Sequence, residues 1–163
     1  MYKSNKLFKL GALFLAFILV FTCVSCKAKE KTFSKLEMSI ELTDEFVEKQ
    51  HVGYTVYYES KDMIVVCLKE EFSLMSGSSS WSVDKYAQEC VKANNLGSKT
   101  IEHRENYAYF TFEKTLSGQS YKYVATCHKA QDGFWLIQLA TFSRDFDKLE
   151  EDLFKYADSI SFD

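Results

Sequence analysis

The chain has 163 residues, with 14 Phe, 10 Tyr and 2 Trp, 6 Gly, no Pro and a formal charge of −3. That length suits one domain behind a leader, and the aromatic content without proline excludes a disordered stalk. Lys3, Lys6 and Lys9 have no acid beside them, so residues 26–163 carry −6 and residues 32–163 carry −8. With Arg104 and Arg144 as the only guanidinium groups, such a domain is a poor nucleic-acid binder, and no nucleic-acid partner is expected.

The three lysines form a positive n-region, and Leu10 to Thr22 (LGALFLAFILVFT) is an uncharged apolar run. Ser25 and Cys26 follow, a small residue before a cysteine, and Lys27 closes the apolar stretch. A spanning helix needs about 20 apolar residues, whereas a secretory h-region needs only about 7–15. The order therefore predicts a lipoprotein signal peptide over residues 1–25, cleaved before a diacylglyceryl Cys26. Cys23 is preceded by Val20, Phe21 and Thr22, which makes it a poorer modification site. The Cys23–Cys26 spacing lies inside the processed segment and is not read as a redox or zinc motif. Residues 26–31 are read as a lipidated basic tether whose Lys27, Lys29 and Lys31 can lie against anionic headgroups. Fully extended from Cys26 to Thr32, it reaches only about 20 Å. The membrane is thus the first expected partner, through lipid on Cys26, at the extracytoplasmic face.

Residues 32–163 form the predicted single domain. Met38, Ile40 and Leu42 alternate with Glu37, Ser39 and Glu41, the signature of a half-buried strand. Thr43 to Glu45 reads as a turn. Gly53 to Glu59 and Met63 to Leu68 read as strands joined at Lys61-Asp62, the second central because both its faces are apolar. Ser73 to Trp81 (SLMSGSSSW) reads as a loop of low intrinsic order. A helix follows, with Ser82 as N-cap, Val83, Tyr86, Ala87, Cys90 and Val91 on one face, and Asn95 or Gly97 closing it. Lys99 to Arg104, Tyr107 to Leu116, Gln119 to Ala130 and Gly133 to Ser143 form a four-strand meander. Ser117-Gly118 and Asp132-Gly133 are its hairpin signals, the second the stronger. Asp145 to Ser159 is a second helix, with Lys148–Asp152 and Glu151–Lys155 as i,i+4 pairs. Strands, helix, strands, helix predict an α+β fold: a mainly antiparallel sheet with two helices packed on it.

The strand LEMSIEL, the acidic turn with Phe46, the YYES-KDMIVVC hairpin, the helix SVDKYAQECVKAN, the aromatic meander and the terminal helix resemble the PsbP-like group. Its members share the α/β/α sandwich of the photosystem P subunit and the Ran-binding Mog protein. The resemblance, spread over Thr32 to Asp163, implies that sandwich. It also implies a small bacterial lipoprotein without enzymatic activity.

No residue set in the domain reads as catalytic. His51, His103 and His128 are isolated, and a zinc site needs three or four converging ligands, so no metal or other cofactor is expected. Cys127 and His128, adjacent on a strand, point to opposite faces and cannot form a dyad. Glu70-Glu71 and Glu150 to Asp152 read as solvated faces. Cys67, Cys90 and Cys127 fall in apolar patterns and read as buried thiols, with one bridge as the alternative. Trp81 reads in two ways. It is the N′ residue of a hydrophobic staple with Tyr86 at N4, or a binding hot spot at the end of a Ser/Gly loop. Met75, in the same loop, is a second candidate contact. The expectation is a non-enzymatic accessory or protein-interaction lipoprotein at the outer face of the cytoplasmic membrane, its partner an unknown membrane or cell-envelope protein. The alternative is a small-ligand-binding lipoprotein that uses the sheet and the 73–81 loop.

Overall fold

The structure, a computed structural model, describes residues 28–163. The leader and Cys26 lie outside the described residues.

Chain order begins with β1 (Glu30–Lys35), β2 (Met38–Thr43), β3 (Val47–Lys49), β4 (Val56–Glu59) and β5 (Met63–Glu71). Helix α1 (Val83–Ala93) follows, then β6 (Glu102–Arg104), β7 (Tyr107–Leu116), β8 (Gln119–Lys129) and β9 (Gly133–Phe142). Helix α2 (Phe146–Asp158) and β10 (Ser161–Phe162) end the chain. The large sheet has the order β3-β4-β5-β9-β8-β7-β6, and a small sheet has the order β1-β2-β10. Every pairing is antiparallel.

Period-2 alternation puts each face of the large sheet into its own core. Val65, Cys67, Val124, Ile137 and Leu139 meet α2 and the small sheet. Phe110, Ala125, Cys127, Phe134 and Leu136 meet α1. The result is a three-layer sandwich. In β2, Met38, Ile40 and Leu42 are fully buried, as their alternation predicts, each contributing about 1.5–3 kcal/mol. Helix α1 starts where Ser82 Oγ accepts from the Lys85 amide (3.1 Å) and buries Tyr86, Ala87, Cys90 and Val91. Tyr86 stacks on Phe134 at 4.3 Å. Both Asn95 and Gly97 take positive φ behind it.

Several details depart from the sequence reading. Glu30 and Lys31, assigned to the tether, belong to β1, which starts two residues before the predicted domain boundary. β1 has one apolar anchor, Phe33, and exists because its whole length pairs with β2, from Glu30↔Thr43 to Lys35↔Met38. Asp132-Gly133 is not a positive-φ turn, since Gly133 already pairs with Glu71 as the first residue of β9. A Cβ at Gly133 would stand 2.7 Å from the Glu70 carbonyl oxygen, so close backbone approach demands glycine here. The Ser117-Gly118 turn does take positive φ at both residues. Neither predicted pair on α2 is among the ion pairs of the described residues; Lys155 Nζ instead meets Glu30 Oε1 at 2.6 Å.

Candidate interaction site

The chain joins the fold at Lys29, whose amide donates to Asp44 Oδ1 (2.9 Å) and whose carbonyl accepts from the Asp44 amide (2.7 Å). β1 carries it about 20 Å away, at roughly 3.3 Å per residue, to the turn at Leu36. There Glu37 gathers a polar cluster. Lys69 Nζ meets Glu37 Oε1 at 2.8 Å and Asp132 Oδ2 at 3.0 Å. Trp135 Nε1 donates to the same Glu37 oxygen at 3.0 Å. Burial raises the Glu37 pKa, but these hydrogen bonds and the Lys69 charge outweigh it and hold the carboxyl below its ordinary range. The cluster ties the β1–β2 turn to β5 and the β8–β9 turn. Loop 73–81 leaves β5 at this end, far from where the chain joins the fold.

The loop is ordered by bonds that its composition does not announce. Lys129 Nζ donates to the Ser79 and Trp81 carbonyls at 2.8 and 2.9 Å. Ser78 to Ser80 form a 3-10 turn, and Ser78 is fully buried. Met75 and Trp81, the two candidate contacts, are half-buried against the core that contains Tyr86. Leu74 is 82% exposed at the crest of the loop, and Leu36 is 66% exposed at the β1–β2 turn. The far end thus combines apolar side chains in solvent with a fixed backbone.

The remaining candidates are scattered. His51 is exposed and stacked on Tyr57 (5.3 Å). His103 is exposed, with Nε2 3.4 Å from Asp84 Oδ1. His128 is buried, its Nε2 2.9 Å from Thr126 Oγ1, which itself donates to the Ile137 carbonyl at 3.2 Å. Its ring lies 5.3 Å from those of Tyr107 and Phe162, and burial pulls its pKa down to about 4. Cys127 faces the α1 core on the other side of the strand, so the adjacent pair cannot work as nucleophile and base. Cys67, Cys90 and Cys127 are buried free thiols. A hydrogen bond with Cys90, then burial, pushes the Cys127 thiol well up, and burial does the same to Cys67; such thiols are inert. Glu70 is not part of a solvated face, because it is half-buried and accepts from the Tyr86 hydroxyl. Among the described residues no three His, Cys, Asp or Glu side chains group to hold a metal ion, and no helix is long and apolar enough to cross a membrane.

Two shallow clefts are lined by other residues. One, of about 620 Å³, lies between Gln88, Lys92 and Asn95 at the end of α1 and Ser98, Lys99 and Ile101. The other, of about 600 Å³, lies between Arg104 and the Glu150, Phe154 and Asp158 face of α2. There Arg104 stacks on Phe154 (4.2 Å) and meets Asp158 Oδ2 at 2.7 Å, while the Tyr107 hydroxyl donates to Asp158 Oδ1 at 2.6 Å. Neither cleft includes a residue of loop 73–81.

No family model matches the chain, and no curated protein matches it. Solved structures do. The cyanobacterial PsbP of Synechocystis is similar at 12% identity and a TM-score of 0.55, over 89% of this chain and 99% of that one. The Saccharomyces cerevisiae Ran-binding protein Mog1p is similar at 7% identity and a TM-score of 0.53, over 83% of this chain and 96% of that one. A Bacteroides thetaiotaomicron protein is similar at 10% identity and a TM-score of 0.56, over 83% of this chain and 49% of that one. At such identities the likeness shows the fold alone: residues 30–162 adopt the α+β sandwich shared by PsbP and Mog1p.

Proposed function

We propose that this chain is a non-enzymatic, membrane-anchored lipoprotein that serves as an accessory, protein-interaction module at the outer face of the cytoplasmic membrane. One observation carries the reading: Lys3, Lys6, Lys9, an apolar run, then Ser25-Cys26, with the first bond of the fold already made at Lys29. Diacylglycerol on Cys26 supplies two chains, enough for stable anchoring. So short a link holds the domain against the bilayer, and loop 73–81, with Leu36 and Leu74 in solvent, lies at the end remote from the anchor. Its exposed apolar side chains make that end one surface at which a partner protein would be met. Mass spectrometry of the mature N-terminus tests the anchor. The expected first residue is a lipidated Cys26 in the membrane fraction, with Cys26→Ala leaving the precursor unprocessed or released and Cys23→Ala doing neither. An unmodified Cys26, or cleavage elsewhere, would sink the reading.

A further inference from the structure

β7 is ten residues long. Its inner edge pairs with β8 without a break, from Ala108↔Cys127 to Leu116↔Gln119. Its outer edge pairs with β6 only at Tyr107, Ala108 and Tyr109. From Thr111 to Leu116, no backbone hydrogen bond among the described residues reaches the outer side. The opposite edge of the sheet is different: β3 is three residues long and covers β4 from Tyr57 to Glu59. Proteins blunt open edges with proline, bulges, very short strands or edge charges. Over six residues, roughly 20 Å of alternating N–H and C=O groups, this edge has no proline. Its protection is one charge of each sign, Glu113 and Lys114, which repel a like-charged strand and admit a complementary one.

We propose that this edge binds an extended segment of a partner protein, which adds to the large sheet as an eighth strand. The flanking side chains state what fits. Phe112, Lys114 and Leu116 point to the α1 side, and Thr111, Glu113 and Thr115 to the other. Glu113 to Leu116 are exposed, and Leu116 is 42% exposed. Residues directly opposite in an antiparallel pair share a face and interact. The fitting segment therefore carries apolar residues opposite Phe112 and Leu116, an acid opposite Lys114 and a base opposite Glu113. A second copy of this chain does not meet that demand. A two-fold pairing centred on the open edge sets Glu113 against Glu113 or Lys114 against Lys114, and like charges directly opposite repel. The inference deepens the interaction-module reading and rests on it for the existence of a partner protein.

Hydrogen exchange on the full-length protein in detergent micelles tests it. The probe is the blocked peptide Thr-Val-Thr-Asp-Lys-Val-Thr, which meets the pattern in antiparallel register. The control exchanges its Asp and Lys. The expected result is slowed exchange at amides between Thr111 and Leu116, with the probe binding up to roughly tenfold tighter than the control. The double variant Glu113→Lys, Lys114→Glu, on exposed positions that leave the core intact, should reverse the preference. No slowing with either peptide, or equal slowing with both, would overturn the inference. So would edge protection that grows with protein concentration alone, since a second copy would then be the occupant. Failure here alongside a lipidated Cys26 and a partner crosslinked through Leu74 would remove the edge and leave the accessory reading standing.

Discussion

His128 makes the stability of this domain depend on pH in a way that can be calculated. Its ring is 3% exposed and lies between β7 and β10, against Tyr107 and Phe162. Thr126 Oγ1 donates to the Ile137 carbonyl and so accepts from Nε2–H, which fixes the proton of the neutral ring on Nε2, while burial disfavours a second proton on Nδ1. Burial lowers the folded pKa to about 4, against an ordinary 6.5. Between these values the unfolded chain binds the extra proton and the folded one does not. Stability contributed by His128 is therefore complete above about pH 6.5 and is lost as pH falls toward 4. The full span is 2.5 pKa units, about 3 kcal/mol at 1.36 kcal/mol per unit. About 2 kcal/mol of it is gone between pH 7.5 and pH 5, which lowers Tm by about 8 °C in a domain of this size. Carboxylates also titrate in acid, so the informative quantity is the difference from His128→Gln, whose amide keeps a donor for Thr126. Urea or thermal unfolding at pH 7.5, 6.5, 5.5 and 5.0 should give curves that converge toward acid, with the variant losing about 2 kcal/mol less. Parallel curves, offset by a constant amount across this range, would refute the assignment of a buried neutral imidazole.

Trp81→Ala should cost about 1–2 kcal/mol, because the indole is half-buried on the α1 core; an unchanged Tm with lost partner capture would instead make Trp81 a hot spot. Gly133→Ala should cost about 1–3 kcal/mol, since the methyl meets the Glu70 carbonyl; a neutral result by urea unfolding would show that β5 and β9 separate freely. Cys67, Cys90 and Cys127 should label slowly in the native protein and stoichiometrically in denaturant without reductant; only one reactive domain thiol per unfolded chain would reveal a disulfide. Ser117→Asn should stabilise by about 0.5–1 kcal/mol, because both turn residues hold positive φ and Asn-Gly suits that turn; no rise in Tm would count against it.

Local physical chemistry was legible in the sequence wherever one segment carried its own evidence. β2 announced its inner face by alternation, α1 by a serine cap and an apolar stripe, and the Ser117-Gly118 turn by its glycine. Those signals, with the resemblance to PsbP-like proteins, were enough for the α+β sandwich. The opposed faces of Cys127 and His128 followed from the strand period alone.

Tertiary structure decided whatever depends on a distant partner. β1 has one buried side chain and is a strand because β2 lies beside it. Loop 73–81 looked unordered because the lysine that pins it, Lys129, lies 48 residues beyond Trp81. Glu70 and Lys155 looked solvated or locally paired until Tyr86 and Glu30 were brought to them. Gly133 looked like a turn residue, yet it is needed because β5 passes too close for a Cβ. The open edge of β7 has no local signal at all. It exists because β6 stops after three residues, and an unpaired row of backbone groups is a property of sheet order rather than of side-chain pattern.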